Sequence, residues 1–272
     1  MFVEPLGLTW RPVQPAPVVK REDDTMDIAT WGFEEAAVAL VTGAASGIGR
    51  ATALRGAQAG LRVAAWDIDQ TGLDSLAAEI TAGGGAVQTA VVDIFDDAAI
   101  DSSFSEIERT WAPVRHLVNN AGPRSVDPYG FREAVGLAVG SMEAMIQRFL
   151  GAQLGPGASV VSVSSVAGNF TGSNPPWYPT AKAAIAGLTR ALAWSEGARC
   201  RFNAVAPSLV ATPRMTSYMH SDVGRNWAET NPLGRWADAD DIARVIVFLL
   251  SPFASYVNGV LLPVDGGQTL VL

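Results

Sequence analysis

The sequence predicts an α/β fold, a doubly wound parallel sheet in a single domain, and three observations carry the prediction. From Ala36 onward, short apolar runs rich in β-branched residues alternate with longer amphipathic ones. The short runs are continuously apolar, as strands are when helices cover both faces of the sheet. A glycine-rich turn follows the first strand and opens the first helix.

The elements follow in order. AAVALVTG is a strand, GRATALRGAQAG a helix, LRVAAWD a strand, TGLDSLAAEITAGG a helix and AVQTAVVD a strand. A helix over 96–110 leads to the strand VRHLVNNAG, and a helix over 131–150 to the strand SVVSVSS. A helix over 178–196, the strand CRFNAVAP, a helix over 239–250 and the strand GVLLPVDGG complete the pattern. No linker or internal repeat interrupts the chain from Ala36 to its end, which argues for one domain over 34–272. Residues 1–33 differ: four of the sixteen prolines precede Val18, and the charged run KREDD follows, so this segment reads as an N-terminal extension.

Hydrophobic residues make up 49% of the 272 and charged ones 17%, with eight Trp, a composition that builds a sizeable core. A formal charge of −8 and the lack of clustered Lys and Arg argue against nucleic acid and for a small-molecule partner. Cys200 is the single cysteine, so no internal disulfide can form, which suits a reducing compartment. The first residues lack a basic start followed by an apolar run, and no apolar run reaches the roughly 18 residues that span a bilayer. The expectation is a cytoplasmic protein with no membrane partner. His116 and His220 stand apart from any Cys or carboxylate cluster, so no metal site is expected.

In VTGAASGIGR, Gly43, Gly47 and Gly49 lie between a strand and a helix, where backbone N–H groups at a helix N-terminus can meet a pyrophosphate. The next strand ends in AAWDID. Its Asp67, 18 residues after Gly49, stands where a carboxylate accepts hydrogen bonds from the adenosine ribose hydroxyls. A carboxylate there also repels a 2′-phosphate, and no Arg or Lys precedes Ser46 in the loop to compensate. NAD is therefore expected over NADP, on a Rossmann-like sheet.

Taken together, TGAASGIG, NNAG at 119–122, SS followed by YPTAK, NAVAP and the closing DGG resemble the short-chain dehydrogenase/reductase family from about Ala36 to Gly267. The resemblance implies that Gly43, Ser46, Gly47, Ile48 and Gly49 hold the cofactor phosphates, with Asp67 and Ile68 at the adenosine ribose. It sets Asp93 and Ile94 against the adenine, and Asn120, Ala121 and Gly122 beside the cofactor at the sheet centre. Pro207, Val210 and Thr212 match positions near the nicotinamide. It also implies a homodimer or homotetramer.

In WYPTAK, Pro179 fits a first helical turn, so a helix start near Tyr178 puts Tyr178 and Lys182 one turn apart on one face. An ammonium beside a phenol favours the phenolate and equips it to take a proton from an alcohol. By resemblance, Tyr178 is the acid/base, Lys182 also binds the nicotinamide ribose, and Ser165, 13 residues before Tyr178, orients the substrate oxygen. Ser164 is the structural hydroxyl of the pair.

Two departures from the family pattern stand out. The helix FREAVGLAVGSMEAMIQRFL lacks the family's asparagine, expected near Ala138, and offers Ser141 and Gln147 as polar groups. In APSLVATP, Ser208 stands where the family reads glycine, which implies a less permissive backbone. The segments after Ser165 and after Thr212 are expected to wall the substrate with Phe170, Trp177, Met215 and Tyr218, beside Met219 and Trp227. The sequence thus points to a hydrophobic secondary alcohol or ketone exchanging a hydride with NAD. A catalytically silent dinucleotide-binding protein and a related lyase or dehalogenase are the alternatives.

Overall fold

Seven of the apolar runs pair as parallel strands in the order β3-β2-β1-β4-β5-β6-β9, in a computed structural model that describes residues 31–271. The elements are β1 (Val38–Thr42), α1 (Gly47–Gln58), β2 (Arg62–Asp67), α2 (Gln70–Ala82), β3 (Val87–Val91), α3 (Asp97–Thr110), β4 (His116–Asn119) and α4 (Phe131–Leu150). They continue with β5 (Ser159–Val163), α5 (Val166–Asn169), α6 (Trp177–Ser195), β6 (Arg201–Pro207), β7 (Val210–Ala211), α7 (Thr216–Met219), α8 (Asp222–Thr230), β8 (Ala237–Asp238), α9 (Ala239–Leu250) and β9 (Leu261–Val264). Every long element expected from the sequence is present. The pieces the sequence pattern passes over are short: α5, α7, α8 and the two-residue pair β7–β8, too brief for periodicity to mark.

Strand order progresses one way from β1 to β3 and the other way from β4 to β9, so connections leave the sheet toward opposite faces on either side of the fork between β1 and β4. One face carries α1, α2 and α9, packed through Ala53, Leu73, Leu76, Ile80, Ile242, Ile246 and Leu249. The other carries α3 and α4 through Ile100, Phe104, Ile107, Met145, Ile146 and Phe149, with α6 beside them through Leu188 and Leu192. Neighbours along one strand serve both: Val63 and Ala65 face the first layer, Ala64 and Trp66 the second. This is why the strand sequences are apolar without alternation.

The chain enters the sheet closely held. Phe33 lies edge-on to His116 at 5.2 Å, Trp31 lies edge-on to Phe253 at 6.3 Å, and Glu34 pairs with Arg115 at 2.9 Å. Residues 31–33, read as the end of the extension, thus pack on the domain; the rest of that expectation, residues 1–30, lies outside the described residues. At the far end of β6, Arg201 donates to the carbonyls of Leu249, Leu250 and Ser251, the C-terminal oxygens that α9 cannot satisfy within itself.

His116 links three elements in one chain of hydrogen bonds. Ser159 Oγ donates to Leu250 O at 3.1 Å, so it accepts from His116 Nδ1–H at 2.9 Å, which fixes a neutral tautomer. Burial, reinforced by the charges of Arg115 and Arg201, lowers the His116 pKa to about 3. An unfolded histidine titrates near 6.5, so the unfolded chain binds the extra proton first and stability falls as pH drops from about 6.5 toward 3. Urea melts between pH 7 and 5 are expected to show a loss approaching ~1.4 kcal/mol per pH unit from this group. His116→Asn should flatten the slope by about that amount; parallel slopes for the two chains would contradict it.

Candidate active site

The glycine turn is shaped by what lies beside it. A Cβ on Gly49 would stand 2.0 Å from Gly43 O, and one on Gly43, at φ +67°, would stand 2.6 Å from Asn120 Nδ2. Only bare backbone lets β1, the turn and the end of β4 come this close. Asn120 Nδ2 donates to Thr42 O at 2.9 Å, while Thr42 Oγ1 accepts from the N–H of Asn120 and of Ala121 at 3.0 and 3.1 Å and donates to Val118 O at 3.2 Å. Gly122 has open space around it.

The N-cap residue of α1, Ser46, makes no side-chain cap, whereas Asp69, Asp96 and Ser221 cap α2, α3 and α8. The first N–H groups of α1 at Gly47, Ile48 and Gly49 are therefore left to an outside acceptor, which fits a pyrophosphate. Asp67 ends β2 with Oδ2 accepting from Ala45 N at 2.9 Å and Oδ1 from Asp69 N at 3.1 Å, so the carboxylate is fixed beside the turn with lone pairs to spare. Ile68 beside it is exposed, as is Asp93, while Ile94 is buried. Arg50, the first cation after the turn, is drawn away to Glu79 on α2 at 2.7 Å. These residues fit a dinucleotide.

Tyr178 and Lys182 lie on the start of α6, beside the C-terminal end of β5. Tyr178 is half-buried in the first helical turn and Lys182 sits one turn on, its Nζ 5.7 Å from the Tyr178 ring centre. Lys182 Nζ donates to Val163 O at 2.8 Å. Burial of the ammonium, with the charge of Arg214, lowers its pKa to about 8, which leaves it protonated at neutral pH. Lys182 is also the one lysine among the described residues. Ser164 Oγ donates to Lys182 O at 2.7 Å and so braces the helix, as expected for the structural serine. Ser165, nearly buried, caps α5 by accepting from Ala167 N at 3.2 Å.

Sequence reasoning missed Gly168. A Cβ there would stand 2.5 Å from Ala183 N and 2.7 Å from Lys182 C, so the glycine lets α5 lie on α6 at the lysine itself. Its only signal is its place in SSVAG.

Around this core the expected lining residues divide. Phe170 and Tyr218 are exposed, Met215 is half-buried, and Tyr218 stacks edge-on to Trp236 at 5.9 Å. Trp177 is instead buried among Ala134, Ala138 and Ala181 and lies edge-on to Tyr178 at 5.8 Å, so it belongs to the floor under the tyrosine. Ala138, where the family asparagine is expected, is part of that floor. Of the two polar groups on α4, Gln147 is exposed, while Ser141 turns inward with Oγ unpartnered among the described residues, as is Asn119 Nδ2 on β4. Ser208 keeps φ outside the positive region, so its side chain costs the backbone nothing. Pro207 and Val210 are buried, and Thr212 Cγ2 lies 3.1 Å from the place of a Cβ on Gly47. The turn and the segment at Thr212 therefore touch.

The family model described as enoyl-(acyl carrier protein) reductase matches residues 43–269. Cis-4-hydroxycyclohexanecarboxylate dehydrogenase of Sinomonas cyclohexanicum is 35% identical over 247 residues, 86% of this chain and 97% of that protein. Levodione reductase of Leifsonia aquatica is 32% identical over 250 residues, 85% of this chain and 94% of that protein. A levodione reductase crystal structure superimposes with a TM-score of 0.81, covering 88% of this chain and all of the other at 31% identity. A structure from Beutenbergia cavernae with NADP bound at low occupancy, of a protein assigned as an NAD(P)-dependent gluconate 5-dehydrogenase, gives 0.78 at 35% identity over 87% of this chain and 98% of that one. With matches that run nearly end to end over the described fold, the chain belongs to the short-chain dehydrogenase/reductase family.

Proposed function

We propose that the protein is an NAD(H)-dependent alcohol dehydrogenase or carbonyl reductase that interconverts a secondary alcohol of apolar body with its ketone. The observation that carries the reading is the joint presence of a capless α1 N-terminus beside Asp67 and a tyrosine set one turn from a half-buried lysine. The curated relatives include alcohol and diol dehydrogenases and reductases, among them meso-2,3-butanediol dehydrogenase and D-threitol dehydrogenase. That range supports the reaction type and leaves the substrate to this chain's own walls.

When bound, the nicotinamide ring supplies or accepts the hydride. Gly43, Ser46, Gly47, Ile48 and Gly49 would hold the phosphates, Asp67 and Ile68 the adenosine ribose, and Asp93 and Ile94 the adenine side. Asn120, Ala121, Gly122, Pro207, Val210, Thr212 and Lys182 would hold the rest. In oxidation, the alcohol oxygen rests between Ser165 and Tyr178. As the carbinol C–H pair leaves as hydride, the ionised Tyr178 oxygen takes the hydroxyl proton and becomes the phenol, and Lys182, charged at neutral pH, is the cation that favours the ionised form beforehand. Reduction runs the same steps backward, with Tyr178 as the acid. Met215, Phe170, Tyr218 and the floor built on Trp177 would enclose the apolar body of the substrate.

Two outcomes test this. Tyr178→Phe should lower kcat by about 10²–10⁴-fold, measured as nicotinamide absorbance change on any responsive alcohol, while NADH affinity stays within about threefold. Full activity in that variant would end the mechanism. For the cofactor, kcat/KM with NAD should exceed that with NADP by on the order of 10²-fold through repulsion between Asp67 and the 2′-phosphate, and Asp67→Ala should narrow the gap. Equal values for the two cofactors in the unaltered chain would refute the NAD assignment.

A further inference from the structure

Residues 212–236 leave the body of the domain and return to it at one place. The chain steps from β6 into β7, whose Val210 and Ala211 pair in parallel with Ala237 and Asp238 of β8, so the entry and the exit of the excursion are tied together. What lies between holds itself in shape. A Cβ on Gly224 would stand 2.1 Å from Tyr218 O, so α8 lies directly on α7, and Trp236 Nε1 donates to Gly224 O at 3.0 Å. Within this span only Gly224 and Asn231 are buried. Gly224 is covered by the excursion itself, whereas Asn231, 9% exposed, is covered by the C-terminal segment of the domain.

Asn231 is gripped by the turn that follows β9. Its Nδ2 donates to Asp265 O at 2.8 Å and to Gln268 Oε1 at 3.1 Å, and its Oδ1 accepts from Leu233 N at 2.9 Å, so both ends of the amide are engaged. The grip is built in advance. Asp265 Oδ1 accepts from Gly267 N at 3.0 Å and Oδ2 from Thr269 Oγ1 at 2.7 Å, while Gly266 and Gly267 take φ of +64° and +85°. A Cβ on Gly266 would stand 2.6 Å from Asn231 Oδ1, and one on Gly267 3.1 Å from Pro232 Cγ, so the closing DGG is bare where the excursion lies on it. β6 and β9 are neighbours, with Pro207 beside Val264, which sets this clasp next to the strand end from which the excursion departs. The other foot rests elsewhere: Thr212 Cγ2 lies 3.1 Å from the place of a Cβ on Gly47, against the turn that opens α1.

We infer that residues 212–236 form a flap that leans on the dinucleotide turn through Thr212, and that Asn231 is the positioning residue through which the C-terminal turn, residues 265–269, holds the flap down and sets how long the cofactor stays bound. A segment with few buried groups opens more readily than the sheet beneath it, and one buried, fully engaged amide is then a large share of what keeps it closed. The cofactor role rests on the oxidoreductase reading of the site; the clasp does not.

Two readouts on the full chain separate the clasp from the cofactor. Amide deuterium exchange is followed in the unaltered protein, Asn231→Ala and Gln268→Leu, and NADH dissociation is followed by stopped-flow fluorescence as excess NAD displaces it. Asn231→Ala should speed exchange over residues 213–230 by about tenfold or more while the amides of β1, β4 and β5 stay within about twofold, and NADH should leave about fivefold faster. Gln268→Leu removes one of the two acceptors and should act in the same direction to a lesser extent. The double variant should be no looser than Asn231→Ala, because both substitutions cut the same contact. Should Asn231→Ala fail to fold, Gln268→Leu decides alone. Flap exchange within about twofold of the unaltered chain overturns the clasp, as does a rise shared equally by the strands, which would make Asn231 an ordinary part of the core. Faster flap exchange with unchanged NADH release overturns the residence role. If the unaltered chain binds no NADH, the oxidoreductase reading fails and the residence role with it, while flap exchange still decides the clasp.

Discussion

The Thr42 hydroxyl ties together the two strands between which the sheet changes direction, and the site exists because that fork stays closed. It accepts two N–H groups from the end of β4 and donates to a third residue there, while Asn120 answers by binding Thr42 and Gly43 carbonyls. These bonds join the end of β1 to the end of β4, from which the chain leaves toward opposite layers, so they convert a parting of the chain into a fixed edge. Gly43 and Gly49 have to be bare because of this closeness, and the free N-terminus of α1 points outward from the same edge.

A second layer of positioning surrounds Lys182, and it is built from backbone. Val163 O takes the ammonium, Ser164 takes the lysine carbonyl, and Gly168 brings α5 against the same turn of α6. Each of these sits within the ten residues around the end of β5, so one strand end sets the height of the lysine, the cap of α5 and the place of Ser165. Arginine serves every other cationic position among the described residues. Its guanidinium holds its proton in nearly any setting, whereas an ammonium responds to burial. Lysine is used at the one place where that response matters.

Much of this was legible in the residues. The strands and long helices carry strong periodic signals, and three glycines followed by an acid 18 residues on form a pattern whose parts lie close in sequence. Tyr178 and Lys182 were legible for the same reason, being one helical turn apart. What sequence could not give are relations between distant segments. Trp177 reads as pocket lining until Ala134 and Ala138, from another helix, are seen beneath it. Gly168 reads as a loop glycine until α6 is seen against it, and Ser208 reads as a strained replacement until its φ is known.

The solitary lysine has a further consequence, for how the domain presents itself to acylating chemistry. Apart from Lys182, residues 31–271 offer no side-chain primary amine. The one they do offer is tucked under a tyrosine, with its nitrogen committed to a carbonyl. A surface of arginines gives amine-directed reagents and amine-linked tags nothing to grip, so acylation at position 182 becomes a gauge of how often the floor of the cleft opens. With its ammonium pKa lowered to about 8, that amine gains its nucleophilic form at milder alkalinity than an exposed lysine would. The amine that the fold holds in place through its own backbone is thus the one that reports on its breathing.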